Sequence, residues 1–386
     1  MAKKKTGSIE SYILKNGEKR YRFQIYIGMD PLTGKEIRTT RSKFKTKKEA
    51  ELALARLKLE IANGQYKKIQ AETYQDVYDL WVKVYENTVE ESTFVKTLGI
   101  FRNHILPAMG AYKIDKINVA ICQRHVDEWM EKLVNGDKTK SYASLVMRFA
   151  IKRDYIQSNP FDLVDLPRQR KKSSTKQETE NFYTKAQLRL FLQCAEKQPN
   201  YKVYAFFRLL AYSGMRKGEA LALNWEDINF KDNEISINKA IGQGVSQRLY
   251  IKPTKTATKR AIKMDEATMI ILKEWKKKQQ QAYLMLGYNT LQKNQLVFSN
   301  TKNSFIQPTK TNDWLKSIII KNNLPAISTH GFRHTHCSLL FEAGATIKSV
   351  QDRLGHTDVK TTMDVYTHVT STAKEDAIIK FTNHLK

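Results

Sequence analysis

Ser213-Gly214-Met215-Arg216-Lys217-Gly218-Glu219 is the stretch on which the reading of this chain turns. It follows Tyr201–Tyr212, an aromatic-rich run at helical spacing, and it breaks that helix. Arg216 is thereby set near the start of the next helix. Further along, His330-Gly331-Phe332-Arg333 puts an imidazole and a second arginine at i and i+3 of one helix, near its anion-favouring N-terminus. Ser328 or Thr329 can cap that helix, which runs to about Ala343 and stops at Gly344. Leu354-Gly355-His356 sets another imidazole at a turn, and Tyr366 follows ten positions later. Lys255 lies in Lys252-Pro253-Thr254-Lys255-Thr256, a loop between the strands Ile235–Ile237 and Arg260–Met264.

This set is rich in cations and imidazoles and has few carboxylates nearby. Two arginines can clamp the non-bridging oxygens of one phosphate. Charge building up in a phosphoryl transition state then needs no metal. A tyrosine hydroxyl can attack as a covalent nucleophile once a histidine takes its proton. A lysine near the scissile phosphate can protonate a leaving 5′-oxygen. Singly, each residue has a plainer reading. His330 and Arg333 could be a surface pair, Tyr366 a core tyrosine, and Glu219 the structural partner of a basic group. Lys255 could be part of a solvated charge run with Lys252, Lys259 and Arg260. His330, His334 and His336, with His356 and His368 further on, also raise a metal site. Helical geometry, however, puts His330 and His336 on different faces, and no Asp or Glu stands at ligand spacing.

Charge points the same way. The 386 residues carry 66 Lys+Arg against 39 Asp+Glu, a formal net charge of +27, which calls for a polyanion and most simply nucleic acid. Apolar residues make up 41%, enough for real cores. No apolar run reaches roughly 18 residues, so no membrane span is expected. Met1–Gly7 is basic without a following apolar stretch, so no secretory signal is expected. Cys122, Cys194 and Cys337 are few and scattered, which fits a reducing cytoplasm and excludes a disulfide scaffold.

The charge is unevenly spread: net +11 over residues 1–70, zero over 71–170 and +16 over 171–386. The first module reads as strands. Tyr21, Phe23, Ile25 and Ile27 alternate with Arg22, Gln24 and Tyr26, and Asp30–Lys35 is a turn. A second strand, Glu36–Arg41, returns with Arg38 and Arg41. Thr46 caps a helix from Lys47 to about Asn63, with Glu49 completing a capping box and Gly64 as the stop. Arg22, Gln24, Tyr26, Arg38 and Arg41 would suit a DNA major groove, and equally a solvated hairpin face. The second module reads as helices: Thr73–Val89, Ser92–Leu106, Asn118–Leu133 and Thr139–Tyr155, punctuated by Pro107, Gly110 and Asn135-Gly136-Asp137. Arg168–Gln177 has no apolar residue and reads as a basic linker. Beyond it, Thr184 caps a helix to about Lys197, Asp265 starts another, and Ala345–Leu354 and Val359–Tyr366 are short helices.

Taken in order, Ser213–Leu221, Lys255-Thr256, His330–Thr335, Leu354–His356 and Tyr366 closely resemble the boxes of the tyrosine recombinase (phage integrase) family across residues 180–386. Residues 73–165 resemble that family's helical core-type DNA-binding domain. Residues 8–62 resemble the arm-binding domain of integrases from temperate phages and conjugative transposons of low-GC Gram-positive bacteria. The resemblance implies a multidomain α+β chain. Its parts would be an arm domain (1–65) with a small three-stranded sheet plus helix, a helical core-binding domain (72–168), and a mostly α catalytic domain with a short β-sheet (180–386). It implies that Arg216 and Arg333 hold the scissile phosphate, Lys255 protonates the leaving 5′-hydroxyl, and His330 assists proton transfer. It further implies that His356 bonds the phosphate, Tyr366 forms a 3′-phosphotyrosine, and no cofactor is used. Its partners would be double-stranded attachment-site DNA and three further copies in a homotetramer, with an excisionase and a DNA-bending host factor in the bacterial cytoplasm. The tail Lys374–Lys386, with Ala377, Ile378, Phe381 and Leu385 on one stripe, could pack on its own domain, but the resemblance favours docking on a neighbouring subunit. The competing readings are a type IB-like topoisomerase and a non-catalytic DNA-binding regulator.

Overall fold

The computed structural model describes residues 7–14, 17–29, 36–63, 73–167, 181–254, 259–292, 294–355 and 363. Several expectations lie outside the described residues: Lys255, His356, Tyr366, the turn at 30–35, Gly64, the 168–177 linker, the helix from Val359 and the C-terminal tail. The chain divides into two compact units. One holds Met1–Asp79, Ala108–Cys122 and Ser144–Val164, and the other Leu80–Pro107, Gln123–Ala143 and Asp165–Lys386.

Strands β1 (Ile9–Ile13), β2 (Lys19–Met29) and β3 (Glu36–Phe44) form an antiparallel sheet in the order β1-β2-β3. Phe23 and Ile25 turn inward, while Arg22, Gln24 and Tyr26 are exposed, as period two requires. The inward face packs on Ala50, Leu54 and Leu57 of α1 (Lys47–Ala62). Thr46 Oγ1 caps α1 by accepting from the Glu49 N–H at 3.2 Å. The Glu49 carboxylate reaches back one residue further than expected, to the Lys45 N–H at 3.0 Å.

The helices α2 (Tyr74–Glu86), α3 (Glu91–Ile100), α4 (Leu106–Met109), α5 (Val119–Lys132) and α6 (Gly136–Lys152) follow. Two punctuation marks are resolved differently from expectation. Pro107 lies inside α4, because a π turn over Phe101–Ile105 carries the helix past it, with the Leu106 N–H reaching the Phe101 carbonyl. Gly136 opens α6 instead of stopping short of it. A Cβ there would meet Trp129 O at 2.6 Å, so the glycine lets two backbones approach.

The C-terminal module runs α7 (Lys185–Glu196), α8 (Tyr201–Ser213), α9 (Lys217–Ala222), β4 (Ile228–Asn229), β5 (Glu234–Ile237), β6 (Lys239–Gln243), β7 (Leu249–Pro253), β8 (Arg260–Lys263), α10 (Glu266–Met285), α11 (Lys310–Lys321), α12 (Gly331–Glu342) and α13 (Ile347–Leu354). Thr184 and Gln187 form a reciprocal capping box on α7, and Asp265 caps α10. The sheet is antiparallel in the order β4-β5-β8. The basic stretch before Arg260 contains a separate hairpin, β6–β7, which sequence patterning missed. One apolar core gathers Phe191, Phe206, Phe207, Phe298 and Phe332, with ring centroids of Phe332 at 5.0 Å from Phe191 and 5.3 Å from Phe207. Burying each such ring contributes about 2–3 kcal/mol. Phe332 therefore pins the first turn of α12, and with it the next residue, Arg333.

Candidate active site

The site is built on the turn after α8. Gly214 closes that helix with φ +64°, and a Cβ there would lie 2.6 Å from both His336 Cδ2 and Leu354 Cδ2. Conformation and space both demand glycine. Arg216 is the residue before α9. Its N–H donates to Glu219 Oε2 at 2.9 Å and its Nη1 to Glu219 Oε1 at 2.9 Å, so the expected partnership is present.

Arg333 stands in the first turn of α12 and is 3% exposed. Its Nη1 donates to the Gly214 carbonyl at 2.9 Å and its Nη2 to the Leu354 carbonyl at 2.8 Å. One side chain thus ties the turn that carries Arg216 to the end of α13, just before Gly355 and His356. Burial, and then the neighbouring Arg216, lower the Arg333 guanidinium to about 9, which leaves it charged at neutral pH. His330 caps α12 and is exposed, with its ring edge-on to His334 at 4.7 Å. The loop before it is held by Asn181: its Oδ1 accepts from the Ser328 N–H at 2.7 Å and its Nδ2 donates to Ser328 Oγ at 3.0 Å. Ser328 Oγ in turn accepts from the Gly331 N–H at 3.1 Å. Arg216, His330 and Arg333 thus gather around the α8–α9 turn and the start of α12.

Three groups that sequence reading passed over support them. Arg260, read as part of a charge run, is buried and donates to the Glu219 carboxylate at 2.6 Å and 3.3 Å. Burial pushes the Glu219 carboxyl up, but Arg260 and then Arg216 outweigh it and hold it below the usual carboxylate range. Arg353 donates to His336 Nε2 at 3.0 Å, to Lys263 O at 2.9 Å and to Tyr212 O at 3.0 Å. His336 Nδ1 lies 2.9 Å from Ala211 O, so the ring is a neutral bridge between α8 and α13, unsuited to holding a metal. Among the described residues, no group of three His, Cys, Asp or Glu is arranged to hold a metal ion. Lys217 is turned away to Pro308 O at 3.1 Å and Asn312 Oδ1 at 3.3 Å, with burial lowering its pKa. Lys252, three positions before Lys255, donates to Ser92 Oγ at 2.9 Å.

In the N-terminal sheet, Gln24 and Tyr26 face Thr40 and Arg38 across the β2–β3 register, and Arg22 faces Glu10. Arg41 is aligned with Phe23, which is buried against α1, so it stands apart from the other four. Arg22 pairs with Glu10 at 3.1 Å and Arg38 with Glu36 at 2.8 Å, so part of this basic face is already neutralised.

The arrangement sets a buried, backbone-anchored Arg333 guanidinium beside a more exposed Arg216 held by Glu219, on a mostly helical scaffold. Residues 181–373 match the phage integrase family, residues 73–130 the phage integrase N-terminal SAM-like domain, and residues 11–61 an arm DNA-binding domain. A tyrosine recombinase XerC-like protein of Caldanaerobacter subterraneus subsp. tengcongensis is 28% identical over 95% of this chain and 96% of its own. The ICEBs1 integrase of Bacillus subtilis is 26% identical over 92% and 94%. The Tn1549 transposon integrase in complex with transposon right end DNA superposes with a TM-score of 0.65 at 20% identity, over 80% of this chain and 99% of that one. A lambda integrase tetramer bound to a Holliday junction gives 0.55 at 16%, over 92% and 94%. The chain belongs to the phage integrase family of tyrosine recombinases, and it is a site-specific DNA recombinase. No helix among the described residues is long and apolar enough to cross a membrane.

Proposed function

We propose that this recombinase integrates and excises a mobile element through a 3′-phosphotyrosine intermediate made by Tyr366. The Tyr366 oxygen attacks the scissile phosphorus, and its proton passes to His330, which assists the transfer. The bond to the 5′-oxygen breaks, and that oxygen takes a proton from Lys255. Arg216, Arg333 and His356 hold the non-bridging oxygens, with Glu219 as structural support. The phosphotyrosine conserves the energy of the broken bond, so a 5′-hydroxyl from another duplex reverses the step without ATP or a cofactor. The observation that carries this reading is Arg333, a buried cation bonded to the carbonyls of both Gly214 and Leu354. It supports a single phosphate site between the Arg216 turn and the end of α13 at Gly355.

The reading assigns residues 1–65 to arm-type sites, 72–168 to core-type sites and 180–386 to catalysis, in a homotetramer on double-stranded DNA. Arg22, Gln24, Tyr26 and Arg38 would meet arm DNA on one sheet face, with Arg41 reaching it from a separate register position. An excisionase and a DNA-bending host factor would set direction, and the reaction would take place in the bacterial cytoplasm. The test is a suicide attachment-site duplex incubated without divalent metal. Wild type traps a 3′-linked adduct, while Tyr366→Phe binds the DNA and traps none. An adduct that persists in Tyr366→Phe removes the nucleophile assignment.

A further inference from the structure

Arg260 is charged, its side chain is only 8% exposed, and it lies 41 positions along the chain from the Glu219 it contacts. Its position is set by β8, where it pairs with Ile237 of β5 at the first register position of the strand. It makes two kinds of contact. Its Nη2 and Nη1 grip both oxygens of Glu219, at 2.6 Å and 3.3 Å, on the carboxylate that also holds Arg216. Its Nε donates to the Arg353 carbonyl at 3.2 Å, and its Cδ and Nη1 lie 3.2 Å from where a Cβ on Gly355 would be. Gly355 has φ +67° and ends α13 immediately before His356.

The electrostatics make this more than packing. Glu219 is 1% exposed, and a buried carboxylate needs full compensation. Arg216 is 24% exposed and is the guanidinium with access to a ligand. Were Arg216 the carboxylate's sole cation, its charge would be spent on Glu219 whenever DNA is absent, and a phosphate would have to compete for it. With Arg260 bonded to both carboxylate oxygens, Glu219 is neutralised from behind, and Arg216 is oriented without being consumed.

We propose that Arg260 is a positioning residue for strand cleavage. It fixes Glu219, keeps the Arg216 guanidinium available to the scissile phosphate, and braces the Gly355 turn. The inference rests on the assignment of Arg216 to the phosphate, so the experiment carries Arg216→Ala as its reference. Full-length wild type, Arg216→Ala, Glu219→Gln, Arg260→Met, Arg260→Lys and the Glu219→Gln/Arg260→Met double variant are compared on attachment-site DNA. Affinity and single-turnover cleavage of a suicide duplex are both measured, with thermal unfolding alongside.

The expected result is that Arg260→Met slows cleavage roughly 30-fold or more, while DNA affinity stays within about twofold. Arg260→Lys should restore part of the rate, because a cation returns without the two-oxygen grip. The double variant should be no slower than the slower single variant, within about threefold, because both changes break one unit. A multiplicative double variant would show that Arg260 acts only as a local brace and would overturn the proposal. So would cleavage by Arg260→Met, or by Arg260→Lys if the former does not fold, within threefold of wild type while Arg216→Ala is inactive. Full cleavage by Arg216→Ala would instead sink the underlying phosphate assignment.

Discussion

His336 shows how a single side chain is committed by its partners. Its Nε2 accepts from Arg353 and its Nδ1 faces the Ala211 carbonyl, so only the neutral ring with hydrogen on Nδ1 satisfies both. Burial, and then Arg353, lower its pKa to about 4, against about 6.5 in an unfolded chain. Below about pH 6.5 the unfolded state takes up a proton that the folded state refuses. The stability from this group is therefore fully present above about pH 6.5 and is lost as pH falls toward 4, on the order of 3 kcal/mol. His336→Gln, whose amide can offer both bonds without titrating, should have a flatter stability profile over that window in urea titrations. Identical slopes would contradict this. The sequence shows His336 only as one of several clustered histidines. Its role depends on Arg353 and Ala211, which are distant along the chain, and so it was not legible there. Arg216, His330 and Arg333 were legible because the turn and the helix start that place them are local.

Elements were legible where a period or a cap announces them. Strand β2 alternates, α1 and α7 begin at threonine caps, and α8 ends at a left-handed glycine. The hairpin β6–β7 was missed because its facing residues are mismatched in size. Gly242 stands opposite Tyr250, and a Cβ there would lie 2.7 Å from the tyrosine ring. A glycine in a strand reads as a break, yet here it makes room for a ring. Pro107 misled for a related reason: a π turn, invisible to pattern, carries the helix beyond it. At this scale the capping box of α7 gives a clean test. Thr184→Ala removes the acceptor for the Gln187 N–H and should cost about 1 kcal/mol. That corresponds to a fall of about 2–4 °C in Tm for a module of this size, read by calorimetry.

For the molecule as a whole, the net charge of +27 sets the terms of DNA binding before any base is read. Phosphate contacts release counterions, so affinity for unrelated duplex DNA should fall roughly 10³-fold between about 50 and 200 mM salt. Cleavage of bound suicide substrate should change far less, because buried groups such as Arg333 are screened weakly. A salt-independent affinity would refute the electrostatic account. Bulk charge was nonetheless a poor guide to the site. Arg22 and Arg38 are partly neutralised by glutamates, and Lys217, beside Arg216, is spent on a backbone carbonyl.

The shared carboxylate has a consequence in simple charge counting. Arg216, Arg260 and Arg333 bring three positive charges to this cluster and Glu219 brings one negative, which leaves two positive. A phosphodiester in DNA carries one negative charge, and the five-coordinate phosphorus formed on attack carries two. On the proposed assignment to the scissile phosphate, these four groups, counted without Lys255, would be overcharged for the resting substrate and balanced for the species at the top of the barrier, which is the sense in which a site favours reaction over mere attachment.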